Sequence, residues 1–188
     1  MISGPRTRAA PGTREQILRV GRELVQKRSY LGFSFQDVAD AVGVRKASLY
    51  HHFPSKEALG IEVLGEAAQA FRDWTLRRSG SPQAMLEAYF RMYREGIRAG
   101  EAMCPAGAFA PGWDCIQGEL QEAVRELRSA QVLWLTGVLG AAGSGASAAE
   151  RAAWVFATCQ GALLAARMTG RVQTFDEVVT QLKQALAH

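Results

Sequence analysis

Few residues in this chain are equipped for chemistry, and their spacing narrows what they can do. His51 and His52 stand side by side in VRKASLYHHFPSKEAL (44–59), after Arg45 and Lys46 and just before Pro54; the third histidine is the last residue, His188. Neighbours on a helix point about 100° apart and cannot converge on one ion. No other His, Cys or acidic residue lies nearby at ligand spacing, so no metal site is expected. Cys104, Cys115 and Cys159 contain no C-x-x-C pair. So sparse and odd a set argues against a disulfide framework or structural zinc, and all three are expected as small buried apolar residues. With two of three histidines in one basic segment, a Ser/His or Cys/His nucleophile is poorly supplied. No G-x-S-x-G, H-E-x-x-H or P-loop occurs, and GAAGSG (140–145) follows no strand and reads as a plain loop. No catalytic residue and no cofactor are expected.

The cations point elsewhere. Residues 1–60 hold ten Lys+Arg against five Asp+Glu, a balance of +5, whereas residues 61–188 hold twelve against thirteen, a balance of −1. A basic first third on a near-neutral body suits contact with a polyanion.

The elements that must position these residues read as helical throughout. Thr13 with Gln16 forms a capping-box pattern, followed by an apolar helical face through Ile17, Val20, Leu24 and Val25. Ser34 with Asp37 starts a short helix that Gly43 ends. A third runs from about Arg45 to His52, Pro54 stops it, and Ser55 caps a longer helix through Arg78. After the break SGSP (79–82) come a helix over 83–98, an irregular insert CPAGAFAPGW (104–113), a helix over 116–139, a loop over 140–148, and helices at about 148–169 and 175–187. No stretch alternates convincingly as a strand, which places the chain in the all-α class.

Two short helices meeting at Gly43 within residues 34–52 have the spacing of a helix-turn-helix, whose second helix enters the major groove. Its first turn offers the long donors Arg45 and Lys46, and Ala47 is small enough for close approach to DNA or contact with a thymine methyl. FSFQDVADAVGVRKASLYHHFPSKEAL (33–59) resembles the DNA-binding signature of TetR-type bacterial repressors, most specifically in its ending LYHHFPSKEAL. The likeness covers roughly residues 13–60; beyond them only the helical layout is similar. It implies that Ser34 caps the second helix and touches phosphate, that Gln36, Arg45, Lys46 and Ala47 face bases, that Ser48, Tyr50 and His52 hold the DNA backbone, and that Lys56 reaches phosphate. Ala47 stands where the family often has glycine, and Arg45 where it often has a small residue, so the operator sequence is left open.

The resemblance further implies an N-terminal three-helix DNA-binding domain (13–60) and a C-terminal helical ligand-binding and dimerisation domain (61–188), with residues 1–12 a disordered basic arm. A palindromic double-stranded operator, a homodimer and an apolar or aromatic small-molecule effector follow as expected partners. Phe90, Tyr93, Met103, Phe109, Trp113, Trp134 and Met168 are candidates for the effector pocket, although side chains at helical spacing serve more often as packing than as pocket. Ala157, Gly161 and Ala165 put small residues on one helical face and, with Phe175, Val179 and Leu182, are candidates for the dimer interface; intramolecular packing is the alternative. Cys104 is a candidate sensor of oxidants or electrophiles by the same resemblance, against an inert thiol with no His or Lys close in sequence to lower its pKa.

Two other readings are compatible with the same sequence. A DNA-binding protein with a structural or nucleoid role would have no effector. A helical enzyme with a DNA-binding head would need a converging acid/base pair, for which Asp114, Glu119 and Glu122 are the available carboxylates. The most apolar stretch, AAWVFATCQGALLAA (152–166), is too short to span a bilayer and lies between Arg151 and Arg167. The N-terminus lacks the apolar block of a signal peptide, so a cytoplasmic protein is expected.

Overall fold

The computed structural model describes residues 12–98, 103–144 and 147–187. The regular structure within them is helical: α1 (Thr13–Arg28), α2 (Phe35–Val42), α3 (Lys46–His52), α4 (Lys56–Leu76), α5 (Pro82–Arg98), α6 (Gly118–Leu139), α7 (Ala148–Thr169) and α8 (Val172–Leu186). A 3-10 segment covers Gly107–Cys115, and a π-type turn covers Gly140–Ser144. The basic arm proposed from the sequence lies, but for Gly12, outside the described residues, as does His188. No helix among the described residues is long and apolar enough to cross a membrane.

The helix signals hold where a side chain can reach the exposed amides. Ser34 accepts from the Asp37 N–H, and the Asp37 carboxylate accepts from the Ser34 N–H, a complete capping box. Ser55 accepts from the Ala58 N–H at 3.0 Å. The Thr13–Gln16 pattern does not act this way: Gly12 is the cap residue, no side chain caps it, and its carbonyl accepts from the Gln16 N–H at 3.0 Å. The helix begins one residue before that pattern needs, so Thr13 is already inside it. α8 starts at Val172 rather than near 175, because Gly170 in the left-handed region ends α7 and Arg171 N–H closes on the Ala166 carbonyl at 3.2 Å.

Two apolar cores result. One joins α1, α2, α3 and the first half of α4 through Ile17, Val38, Leu49, Phe53, Leu59 and Val63. It continues past residue 60 into Phe109 of the 3-10 segment and Leu120 of α6. The irregular insert therefore has a structural task. Tyr30 stacks on Phe109 at 4.8 Å, Tyr30 N–H donates to the Ala108 carbonyl, and Met103 N–H donates to that of Gln26. The second core holds Phe71, Tyr89, Leu135, Val155, Leu163 and Phe175. α4 runs through both.

This packing corrects half of the expected dimer interface. Phe175, Val179 and Leu182 are only 1%, 5% and 2% exposed within their own protomer. The apolar face of α8 is spent against α5 and α7. Burial of each such side chain contributes about 1.5–3 kcal/mol to the protomer and leaves no area for a partner.

Candidate nucleic-acid interface and internal cavities

The reading head is built around a tight turn. Gly43 adopts φ +80°, ψ +32°, and its N–H and that of Val44 bond back to the Ala39 carbonyl at 2.9 and 3.0 Å. That conformation is strained for any residue with a Cβ. Leu49, fully buried, pins α3 to the first core, which leaves the opposite face outward: Arg45, Lys46, Ala47, Tyr50, His51 and His52 are exposed and Ser48 is half-buried. The Tyr50 ring meets Phe35 edge-on at 5.2 Å, so it is steadied at its base while its face stays in solvent. Exposed Gln36 is tethered through its amide to the Asp40 carboxylate at 2.7 Å.

The charges around the head are sorted. On α1, Arg14 pairs with Glu62 at 2.5 Å, Arg19 with Glu23 at 2.8 Å, Arg22 with Glu66 at 2.6 Å and Arg28 with Asp37 at 3.6 Å. Arg45 and Lys46 have no acidic partner among the described residues. The carboxyl of Asp37 is held below its ordinary value, chiefly by the Ser34 hydroxyl and then by the Ser34 backbone amide.

Lys56 departs from its expected place. Its ammonium points inward and donates to the Tyr30 and Phe33 carbonyls at 2.5 and 2.6 Å, lying 4.3 Å from the centre of each of those rings. The loop that follows α1 leaves these carbonyls without helical partners, and Lys56 supplies their donors. Partial burial lowers its pKa.

The effector candidates scatter. A cavity of about 390 Å³ lies between α1, α4, α5 and α6 and takes in Tyr93 but not the others. Its wall is Arg22 and Gln26 of α1, Glu66, Ala67, Ala70, Phe71 and Trp74 of α4, Met92, Tyr93 and Gly96 of α5, Leu127 and Gln131 of α6, and Cys104, Pro105 and Leu163. A second cavity, about 560 Å³, includes Met103 and Trp113, with Arg125, Arg128, Phe156 and Gln160. Cys104 and Leu163 border both. Phe90, Phe109 and Trp134 are packing residues: Phe90 lies in the second core, Phe109 under Tyr30, and Trp134 against Phe71, Trp74 and Tyr89. Met168, 78% exposed, lines neither.

At the floor of the smaller cavity lies a polar cluster of which the sequence reading found only Tyr93 and Cys104. Gln131, 4% exposed, is the buried polar side chain at its centre. The Tyr89 and Tyr93 hydroxyls both donate to its Oε1 at 2.9 Å, Gln160 donates to the Tyr93 hydroxyl at 3.2 Å, and the Gln131 amide meets Cys104 Sγ at 3.9 Å. Burial pushes both phenols well above their usual range, so they stay protonated donors. A signal was present in the sequence: Gln131 occupies the apolar register of α6, four residues from both Leu127 and Leu135. The cysteines differ in fate. Cys159 is buried, its thiol pushed up to about 12 by burial and then by nearby Cys104; Cys104 is half-buried, and Cys115 is exposed, contrary to expectation, at the end of the 3-10 segment.

α7 shows a second apolar face. Trp154, Ala157, Gly161, Leu164 and Met168 are exposed at helical spacing, with Ala165 half-buried beside them. Of the expected interface residues, this stripe retains Ala157, Gly161 and Ala165. Asp114, Glu119 and Glu122 are each exposed, and Glu122 pairs with Arg125 at 3.3 Å. Among the described residues no three His, Cys, Asp or Glu side chains group around a common point.

Comparison with known proteins agrees with the head. Residues 17–63 match the family model of bacterial regulatory proteins, tetR family. The transcriptional repressor KstR2 of Rhodococcus jostii is 38% identical over 58 residues, which are 31% of this chain and 28% of that one. The chain spans less than half the length of the curated relatives it matches. A solved TetR transcriptional regulator from Legionella pneumophila is 29% identical, with a TM-score of 0.85 over 95% of this chain and 99% of its own. AibR, crystallised in complex with isovaleryl coenzyme A and operator DNA, shares the fold at 20% identity, with a TM-score of 0.65 over 79% of this chain and 84% of that one. Residues 17–63 carry the DNA-binding head of the TetR family, and nearly the whole chain shares the fold of a solved TetR regulator.

Proposed function

We propose that the protein is a ligand-responsive transcriptional repressor in the cytoplasm, binding a palindromic operator as a homodimer and released by a small-molecule effector. The observation that carries the DNA-binding part is the sorting of charge. The α1 arginines are neutralised by carboxylates, while Arg45 and Lys46, beside Ala47 at the exposed start of α3, have no acidic partner among the described residues. Unpaired cations aligned on a reading helix suit base edges and phosphates. Gln36, Ser48, Tyr50 and His52 flank them and complete the proposed contact surface, with Ser34 at its edge.

The α7 stripe supports pairing of two protomers, since an apolar face lined by small residues suits close helix packing against a second copy. Two-fold pairing would set the reading helices about one turn of DNA apart, ~34–36 Å. The cavities favour an effector over a purely structural role on DNA. Relatives named as repressors, and AibR crystallised with both isovaleryl coenzyme A and operator DNA, support a regulator that binds a small molecule as well as DNA.

The test starts from duplexes selected out of a randomised library by the protein itself. In anisotropy titrations, Arg45→Ala or Lys46→Ala should each weaken binding by about 1–3 kcal/mol. Unchanged titrations for both would remove the assigned reading face.

A further inference from the structure

We infer that the smaller cavity recognises a neutral, largely apolar effector carrying one hydrogen-bond-accepting carbonyl oxygen, and that Gln131 Nε2 donates to it. The inference rests on the effector-responsive reading above and concerns the chemistry of its ligand.

Proton placement decides which group faces the cavity. Tyr89 and Tyr93 each have one hydroxyl proton to place in a buried setting, and Gln131 Oε1 lies 2.9 Å from both, nearer to Tyr89 than the Tyr93 hydroxyl at 3.1 Å. Their bonds fill that oxygen and fix the carboxamide, so its NH₂ faces Cys104 and the cavity. There its one contact among the described residues is sulfur at 3.9 Å, and a thiol sulfur is a weak acceptor. A buried amide donor with so poor a partner gains from a carbonyl oxygen placed in the cavity. The Tyr93 oxygen already accepts from Gln160 at 3.2 Å. The floor therefore turns an amide donor toward the cavity, while the remaining hydroxyl lone pairs lie on the Tyr89 and Tyr93 oxygens, 3.1 Å apart.

The rest of the wall sets the ligand's body and charge. Ala67, Ala70, Phe71, Trp74, Met92, Leu127 and Leu163 supply an apolar sleeve. Among the described residues Arg22 is the one cation in the wall, and it is paired with Glu66 at 2.6 Å. A carboxylate pushed to the floor would meet one neutral amide and no free cation, at a desolvation cost that such a bond does not offset.

The test compares benzophenone, its hydrocarbon isostere diphenylmethane and the anion 4-benzoylbenzoate, by calorimetry on the full-length protein without DNA. Benzophenone should bind about five-fold more tightly than diphenylmethane, the factor for a net hydrogen bond of ~1 kcal/mol, and 4-benzoylbenzoate more weakly than either. The infrared carbonyl stretch of bound benzophenone should lie below its frequency in hydrocarbon solvent. Gln131→Glu keeps an oxygen for both phenols and, once ionised, removes the donor. In that variant the preference for benzophenone and the frequency shift should both vanish while diphenylmethane still binds. Equal affinities in the wild type, a preference for the anion, no binding of any of the three, or a preference that survives in Gln131→Glu would each overturn the inference. Failure here with operator binding intact leaves the regulator reading standing. Failure of operator binding with the carbonyl preference intact rejects the regulator reading alone.

Discussion

Lys56 separates two roles that a sequence cannot distinguish. In the family pattern it would reach phosphate; in the structure its ammonium bonds the Tyr30 and Phe33 carbonyls and lies against both rings. Replacing it with methionine keeps the aliphatic stem and deletes the charge. A hydrogen bond to a charged group contributes about 1.5–3 kcal/mol, and a cation over a ring about 0.5–1 kcal/mol at exposed sites. Two of each are at stake. Opposing them are the cost of half-burying the ammonium, visible in its lowered pKa, and the access of water to carbonyls at the molecular surface. The expected net loss for Lys56→Met is ~2–4 kcal/mol, an intermediate share of those gross terms. Urea unfolding at fixed protomer concentration measures it as a lower midpoint with an unchanged slope. Operator affinity of the folded fraction should keep its salt dependence. A loss below ~1 kcal/mol, together with a salt slope reduced by about one, would show that Lys56 contacts DNA and that the inward geometry is not its working state.

Asp37 gives a pH signature. Its folded pKa is lowered, mainly by the Ser34 hydroxyl, so the unfolded chain binds that proton more readily. The stabilisation is complete above its ordinary value of 3.8 and is lost as pH falls through the lowered folded value. Asp37→Asn should flatten the fall in urea midpoint between about pH 5 and about pH 2; an acid limb as steep as the wild type's would reject the assignment. Leu164→Glu puts a charge in the α7 stripe without touching either core. Light scattering at micromolar concentration should show a folded monomer, because an unpaired charge buried at an interface costs several kcal/mol; an intact dimer would place the interface elsewhere.

The reading head was almost wholly legible because its signals are local. Ser34, Asp37, Gly43 and Ser55 specify helix ends through atoms three to five residues away, and Leu49 and Pro54 fix which face of α3 turns outward. The cap expected at Thr13 failed for a local reason too: a backbone carbonyl at Gly12 satisfied the turn first. Legibility fell in the C-terminal half because contacts there join distant segments. Phe90, Phe109 and Trp134 look like pocket aromatics in sequence, yet each fills a core position set by a partner far away in the chain. α7 is apolar around most of its surface, and only the small residues Ala157, Gly161 and Ala165 marked the face that stays outside. Lys56 is the sharpest case, since its cationic type suggests phosphate while two unpaired carbonyls more than twenty residues earlier claim it.

How an effector could act on the head follows from which helices wall the cavity. A ligand changes operator occupancy only through its difference in affinity between conformers that fit DNA and those that do not. α2 and α3 contribute nothing to the smaller cavity; α1 and α4 contribute Arg22, Gln26, Glu66, Ala67, Ala70, Phe71 and Trp74. The same two helices carry the head, because Ile17, Leu18, Leu59 and Val63 share one core with Val38 and Leu49. Their contact is close: a Cβ added to Gly21 would lie 2.9 Å from a Leu59 methyl carbon. Helices packed so tightly transmit displacement rather than absorb it. The Arg22–Glu66 pair joins them at the cavity, but both side chains are more than 40% exposed, so it adds little rigidity that a ligand would have to overcome. A ligand that displaces α4 at Phe71 and Trp74 would therefore move α3 with the head as one body. In a paired protein this would change the spacing of the two reading helices while leaving the fit of each to its own groove intact.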